Sequence, residues 1–253
     1  MFSEITIVGA GRIGQAFAKM GQVTSVKVSL LRRGEQTLLP TGPIVVCTRN
    51  DDLEGVLQWI PPARYADLIL VQNGMLQTWI AQNKLQNITQ ALLYIAVSNA
   101  GDAPVDGEKS VVTGPNAEAF VWLMNALNLQ CRSIDNDAFL MEMLEKLLWN
   151  CVFGLLCQVH EQTVGTLVVQ HREQISALSK ELLVVACTEL DLEIPASENQ
   201  EELVQRLCDY SQSISSYQGA VKEWSWRNGW FWERQNEEDS IHGCLLKQAG
   251  LNL

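Results

Sequence analysis

Proline all but vanishes from the second half of this 253-residue sequence: six of seven lie at or before Pro115, and only Pro195 follows. A surplus of cations is also missing. The net charge of -11 excludes nucleic acid and anionic membrane as general partners, so any anionic ligand needs a local basic site. No CxxC occurs, and the seven cysteines are odd in number and scattered, which excludes a disulfide framework and reads as free thiols in a reducing cytosol. Cys151, Cys157 and His160 come nearest to a metal set, but their offsets on a helix point to different faces. His160, His171 and His242 show no partner pattern. No basic leader precedes the first apolar run, and the longest apolar stretch of the second half, LLWNCVFGLLC, falls short of the roughly 20 residues of a membrane span. These absences read as a soluble, cytoplasmic protein. With 47% hydrophobic and 19% charged residues, the chain can bury one large core or two modest ones.

What is present divides the chain in two. The first half alternates apolar runs, Ile5–Val8, Val26–Leu31, Ile44–Cys47, Leu68–Val71 and Leu92–Val97, with helical segments at Arg12–Met20, Asp51–Trp59 and Met75–Gln82. Runs rich in Val, Ile and Leu with little alternation suit parallel strands buried on both faces, and the rhythm is that of a doubly wound sheet. From Ala138 onward FLMEMLEKLLWNCVFGLL, QISALSKELLVVACTEL and EELVQRLCDYSQSISS carry long helical periodicity. The expected architecture is an α/β Rossmann domain over residues 1–134 and an all-helical domain over 135–253.

Gly9, Gly11 and Gly14, with Arg12 and Ile13 between them, form GAGRIG at the junction of the first strand and first helix. That context reads as a dinucleotide loop: one glycine for the turn, one for backbone approach to a pyrophosphate, one for close helix–strand packing. About 20 residues on, Arg32 and Arg33 stand in SLLRRGE, where an acid would hold the ribose hydroxyl of NAD. A guanidinium fork there suits the 2′-phosphate of NADP(H). CTRND and VQNG end two further strands and bring Arg49 and Asn73 to the ligand side of the sheet, although Asn-Gly is also plain turn chemistry. In EKLLWNC, Lys146 and Asn150 share one face of an apolar helix. A lysine so placed either snorkels to water or faces a cleft.

Taken in order, GAGRIG, LRR, CTRNDDL, VQNG, EKLLWNC and ISS resemble the ketopantoate reductase (2-dehydropantoate 2-reductase) family. The resemblance implies a Rossmann domain, a helical domain, and NADPH-dependent reduction of a small 2-oxo acid in the cleft between them, as in pantothenate biosynthesis. It implies that Arg32 meets the 2′-phosphate and that Arg49 stands where the family has a cofactor-side lysine. Asn73 would sit beside nicotinamide and substrate, Lys146 would be the catalytic lysine, and Asn150 and Ser216 would help hold the substrate. Asn228 replaces a substrate-binding glutamate of the family, and Val164 and Gly154 replace two of its asparagines. A lysine fits the chemistry, because hydride addition builds charge on a carbonyl oxygen that an ammonium can stabilise and protonate.

The leading expectation is therefore an NADPH-dependent reductase of a small-molecule 2-oxo acid, with Lys146 as general acid and Asn73 as positioning group. It involves no metal, no nucleic acid and no membrane, and homodimerisation stays open. The alternative is an inactive NADP(H)-binding sensor or interaction protein of the same fold, with a flavoprotein third. EWSWRNGWFWE gathers Trp224, Trp226, Trp230 and Trp232, read as core or subunit interface, or as an apolar wall for a bulkier substrate.

Overall fold

In the computed structural model, which describes residues 2–85, 87–235 and 237–251, the chain forms two compact units, Met1–Leu140 and Met141–Leu253. The first unit is built on one mixed sheet. Strands β1 (Glu4–Val8), β2 (Lys27–Leu31), β3 (Ile44–Val46), β4 (Leu68–Leu70) and β5 (Thr89–Leu92) are parallel and adjacent in the order β2-β1-β3-β4-β5. The run Leu92–Val97, expected as one strand, splits: Leu92 ends β5, and β6 (Ile95–Ala96) leaves the sheet to pair with β7 (Val105–Asp106). The sheet instead continues through β8 (Val111–Thr113), antiparallel to β5, and β9 (Arg132–Ser133), parallel to β8. Ile5, Ile7, Val45, Ile69 and Ala91 meet Phe17, Phe120 and Leu123 in the core. Those aromatics come from α1 (Arg12–Ala18) and from α5 (Ala117–Ala126), which follows α2 (Met20–Val23), α3 (Leu53–Leu57) and α4 (Gln77–Gln82). The order reverses between β1 and β3, because the chain leaves β1 to form β2 on one side and β3 on the other. That is the topological switch point at which α/β sheets bind ligands.

The second unit is helical. The 25-residue α6 (Asn136–His160) begins in the first unit against Asp135, whose carboxylate accepts the Ala138 amide at 2.8 Å, and belongs to the second unit from Met141 onward. Leu144, Leu148, Val152, Phe153, Leu156 and Cys157 bury it on nearly all sides, as a central helix must be. Around it lie α7 (Val164–Gln170), α8 (Arg172–Glu189), α9 (Ser197–Ser213), α10 (Asn228–Gln235) and α11 (Ile241–Gln248). The indole of Trp149 donates to Ser211 on α9 at 2.9 Å and packs edge-on against Tyr210. Trp230 and Phe231 are core residues, and the Arg234 guanidinium lies 4.1 Å above the Trp230 ring. Among the described residues no helix is long and apolar enough to cross a membrane.

A polar knot inside this unit links three helices. Asn228, 1% exposed, donates to the Cys151 carbonyl of α6 at 3.5 Å, and its Oδ1 meets His242 Nε2 of α11 at 2.9 Å. His242 is fully buried, its Nδ1 has no partner among the described residues, and burial lowers its pKa to about 4. The unfolded chain then binds a proton near pH 6.5 that the fold refuses until about pH 4. Stability is full above pH 6.5 and falls as pH drops through that window, by about 3 kcal/mol in all. Urea titrations at pH 7, 6, 5 and 4.5 measure the loss. His242→Gln should flatten it, and an unchanged slope in that variant would reject His242 as its source.

Candidate functional site

At the switch point a cavity of about 590 Å³ opens, within the range of small-molecule and cofactor sites. Its walls come from three strand ends: Gly9–Gly11 after β1, Arg32–Gln36 after β2, and Cys47–Arg49 after β3, with Asp52, Val56 and Trp59 beyond. Close backbone packing creates it. A Cβ on Gly14 would sit 1.8 Å from the Gly9 carbonyl oxygen, so α1 can approach the end of β1 only without one. Gly9 itself has φ +104°, a left-handed backbone, and lies against Cys47. Gly11 differs, because a Cβ there would meet nothing within 4 Å. It faces open space in the cavity, and as the N-cap of α1 it leaves the first-turn amides without a side-chain cap.

The lining carries three guanidiniums, Arg32, Arg33 and Arg49, against two carboxylates, Glu35 and Asp52. In a chain of net charge -11 this is a local basic site. Both acids are engaged. Glu35 Oε2 accepts the backbone amide of Arg32 at 2.7 Å while its own amide returns to the Arg32 carbonyl at 3.0 Å. Asp52 lies 3.7 Å from Arg33. Gln72, buried behind the cavity, donates to the carbonyls of Val46 (2.8 Å) and Thr48 (3.1 Å), holding the ends of β3 and β4 in register. Asn50 Nδ2 fixes the neighbouring strand end through the Asn73 carbonyl at 2.7 Å. In the first unit two buried side-chain oxygens have no hydrogen-bond partner among the described residues: Thr48 Oγ1 in the lining, and Oδ1 of Asn73, which does not line the cavity. Burial raises the Cys47 thiol far above its ordinary value, which removes it as a nucleophile.

Of the expected cofactor residues, the cavity gathers Gly9, Gly11, Arg32 and Arg49. Gly14 supports it from behind. Ile13 packs against the core. The Arg12 guanidinium donates to the carbonyls of Val97 and Ser98, at 3.3 and 3.4 Å. Thr48 and Gln72 escaped sequence reading although they stand inside the quoted CTRND and VQNG segments; nothing in their residue type marks them.

The second unit holds the other candidates. Lys146 is half-buried on α6, and its pKa falls to about 7, first through burial and then through the positive charge of Arg227. Asn150 Nδ2 donates to the Lys146 backbone carbonyl at 2.8 Å, one turn back. Ser216 is exposed in the turn after α9, between Ser215 and Tyr217, whose carbonyls accept the amides of Gly165 and Val164 at 3.1 and 2.9 Å. Val164 is fully buried. At Gly154 a Cβ would stand 2.9 Å from the Ala220 carbonyl oxygen, so no asparagine fits there. Trp224 packs on Gly229, where a Cβ would meet its indole nitrogen at 2.5 Å. Sequence reading passed over Arg227, hidden among the tryptophans. Among the described residues no group of three or more His, Cys, Asp or Glu is placed to hold a metal.

The fold is a Rossmann-type unit with a cavity at its switch point, followed in the chain by a helical unit. Residues 138–222 match the family model described as Ketopantoate reductase PanE/ApbA C terminal. The solved structures it resembles include 2-dehydropantoate 2-reductase from Methylococcus capsulatus (13% identity, TM-score 0.72, 98% of this chain and 94% of that one). They also include D-mandelate dehydrogenase in complex with NADH (16%, 0.70, 98% and 100%). A third is the dimeric ketopantoate reductase from Staphylococcus aureus (18%, 0.65, 98% and 99%). No curated protein matches the chain. Residues 138–222 thus match the C-terminal domain of ketopantoate reductases, and the chain shares the fold of these structures along its length.

Gly14→Ala should separate α1 from β1 and weaken nucleotide binding at least tenfold while lowering Tm by several degrees. Calorimetric titration with NADPH and a thermal melt measure both. Wild-type affinity in this variant would refute the close-packing account.

Proposed function

We propose that this chain is an oxidoreductase that uses NADPH to reduce a small 2-oxo acid or a related ketone. Residues 1–134 would bind the cofactor, and residues 135–253 would bind the substrate and supply a dimer contact. One observation carries the reading: Lys146, on the helix that matches the family domain, has its pKa lowered to about 7 by burial and Arg227. Perturbed groups of this kind mark catalytic sites. The cofactor fits the first unit on its own terms. Gly11 offers open space for a pyrophosphate, Thr48 Oγ1 and Asn73 Oδ1 are buried polar atoms awaiting partners, and Arg32 and Arg49 line the same cavity. Glu35, the acid that could have held a 2′-hydroxyl, is bound to the Arg32 backbone, which favours a 2′-phosphate on the guanidiniums.

When bound, the reduced nicotinamide supplies a hydride to a carbonyl carbon. The chain's own residues do the rest. Lys146 meets the charge that develops on the carbonyl oxygen and passes its ammonium proton to it. A pKa near 7 makes it a better acid than an ordinary lysine while leaving about half of it protonated at neutral pH. Asn150 braces the helical turn beneath it, and Asn73 positions the reacting groups. A dimeric neighbour makes a homodimer part of the proposal, and reduction of ketopantoate itself would link the chain to pantothenate biosynthesis.

A second reading, NADP(H) binding without turnover, draws on Asn228, Val164 and Gly154, positions that the fold itself consumes. Steady NADPH oxidation with any member of a 2-oxo-acid panel removes it.

Arg32→Ala should raise the NADPH Kd about 10- to 100-fold and leave the NADH Kd nearly unchanged. An equal loss for both cofactors in paired titrations would reject the 2′-phosphate assignment. Lys146→Ala should lower kcat by about 10²- to 10⁴-fold with NADPH affinity intact. In the wild type the reduction rate should fall as pH rises through about 7, where the donor loses its proton. Unchanged turnover in the alanine variant, or a profile flat across pH 6–8, would overturn the role.

A further inference from the structure

Arg227 lies between a short 3-10 turn, Trp224–Trp226, and the start of α10. Its backbone is held on both sides: its amide donates to the Trp224 carbonyl at 3.1 Å and its carbonyl accepts from Phe231 at 3.3 Å. The residue is only 9% exposed. Glu223, four residues back and left-handed at φ +49°, places Oε2 2.5 Å from Arg227 Nη2. That engages one end of the guanidinium. Its Nε is buried and has no hydrogen-bond partner among the described residues. Leaving a buried cationic donor unmatched is costly.

The neighbouring residue fixes where this guanidinium sits. Asn228 reaches the Cys151 carbonyl of α6, five residues beyond Lys146. The start of α10 is thus anchored on the helix that carries the lysine, and Arg227 acts electrostatically on both Lys146 and Cys151. The Cys151 thiol is pushed up to about 12 and stays neutral. His242 is neutral as well above about pH 4. At neutral pH this corner holds the Arg227 cation and a half-protonated Lys146, with Glu223 paired to Arg227 and Glu181 accepting the His242 amide. A guanidinium fork with an unused, buried Nε–H matches a planar carboxylate.

We propose that Arg227 is a specificity-determining residue of the second unit, whose buried guanidinium receives the carboxylate of an anionic substrate and leaves Lys146 to the group that reacts. The inference rests on the reductase reading for the identity of the reacting group, but carboxylate binding is measurable without turnover. The probe is oxamate, a small unreactive 2-oxo-acid mimic, titrated calorimetrically into the NADPH-saturated chain beside its neutral ethyl ester. Wild type should bind oxamate and prefer it to the ester. Arg227→Met should weaken oxamate about 30- to 100-fold, abolish the preference, and leave the NADPH Kd within twofold. Glu223→Gln, which frees the second end of the guanidinium, should bind oxamate at least as tightly as wild type.

Oxamate affinity unchanged in Arg227→Met overturns the proposal, as does a wild type that binds acid and ester alike. If wild type binds oxamate through Arg227 yet no 2-oxo acid drives NADPH oxidation, the carboxylate site stands and the reductase reading falls. If oxidation proceeds with the same KM in Arg227→Met, the reductase stands and this proposal falls. Should Arg227→Met fail to fold, Arg227→Lys decides, because it keeps the charge and loses the fork. A raised KM with little change in kcat supports the proposal, and an unchanged KM overturns it.

Discussion

The approach of α1 to the end of β1 is the constraint on which the switch-point cavity depends. The Gly9 carbonyl stands where a side chain on Gly14 would begin, so the helix starts directly off the strand. The first turn of α1, capped by no side chain, follows directly on the cavity-lining Gly9–Gly11. The same approach brings Gly9 against Cys47 and Thr48, which sets the depth of the cavity floor. Gln72 and Asn50 then tie the ends of β3 and β4 together by side-chain amides. Any widening at Gly14 would propagate through these contacts, since packed interiors transmit displacement rather than absorb it.

A second close approach governs the helical unit. Gly154 lets the backbone at Gly219–Ala220 lie on α6, and the amides of Val164 and Gly165 hold Ser215–Tyr217 on the start of α7. The chain after α9 is therefore an exposed strap anchored on the helices by its backbone. The Asn228–His242 knot closes the same unit from the other side. Enclosed in this way, α6 carries its lysine in a poorly solvated setting. That setting, before any neighbouring charge, is what lowers the Lys146 pKa.

The parallel strands were legible because apolar runs buried on both faces have no other economical home. The glycine loop was legible because strand, turn and helix follow one another without a gap. The edge was not. Val111–Thr113 and Arg132–Ser133 are too short for periodicity to register, and Leu92–Val97 reads as one run although the backbone leaves the sheet inside it. In the site, Arg32 and Arg49 stood out as cations at strand ends. Thr48 could not, since only its burial without a partner distinguishes it from any threonine. Arg227 was obscured by composition: four tryptophans around it suggested core, and core is what Trp230 became. That the cation among them is also buried, with its Nε unpartnered among the described residues, is a tertiary property no spacing rule encodes.

The family resemblance puts a glutamate where this chain has Asn228, and the consequences follow from charge. A carboxylate at that position would stand next to Arg227 in sequence and against Cys151 of α6, where it could neutralise the guanidinium and hold Lys146 protonated well above pH 7. An asparagine does neither. Its amide is taken up by Cys151 and His242, and Arg227 is left with Glu223 as its partner at one end. The change that removes a hydroxyl-binding acid therefore uncovers a cation beside the lysine and, by the same electrostatics, contributes to the fall in that lysine's pKa. Under the proposals above, the missing hydroxyl-binding acid and the anion-binding corner are two faces of one position, Asn228. It points toward a substrate whose recognition rests more on its carboxylate than on its hydroxyl groups.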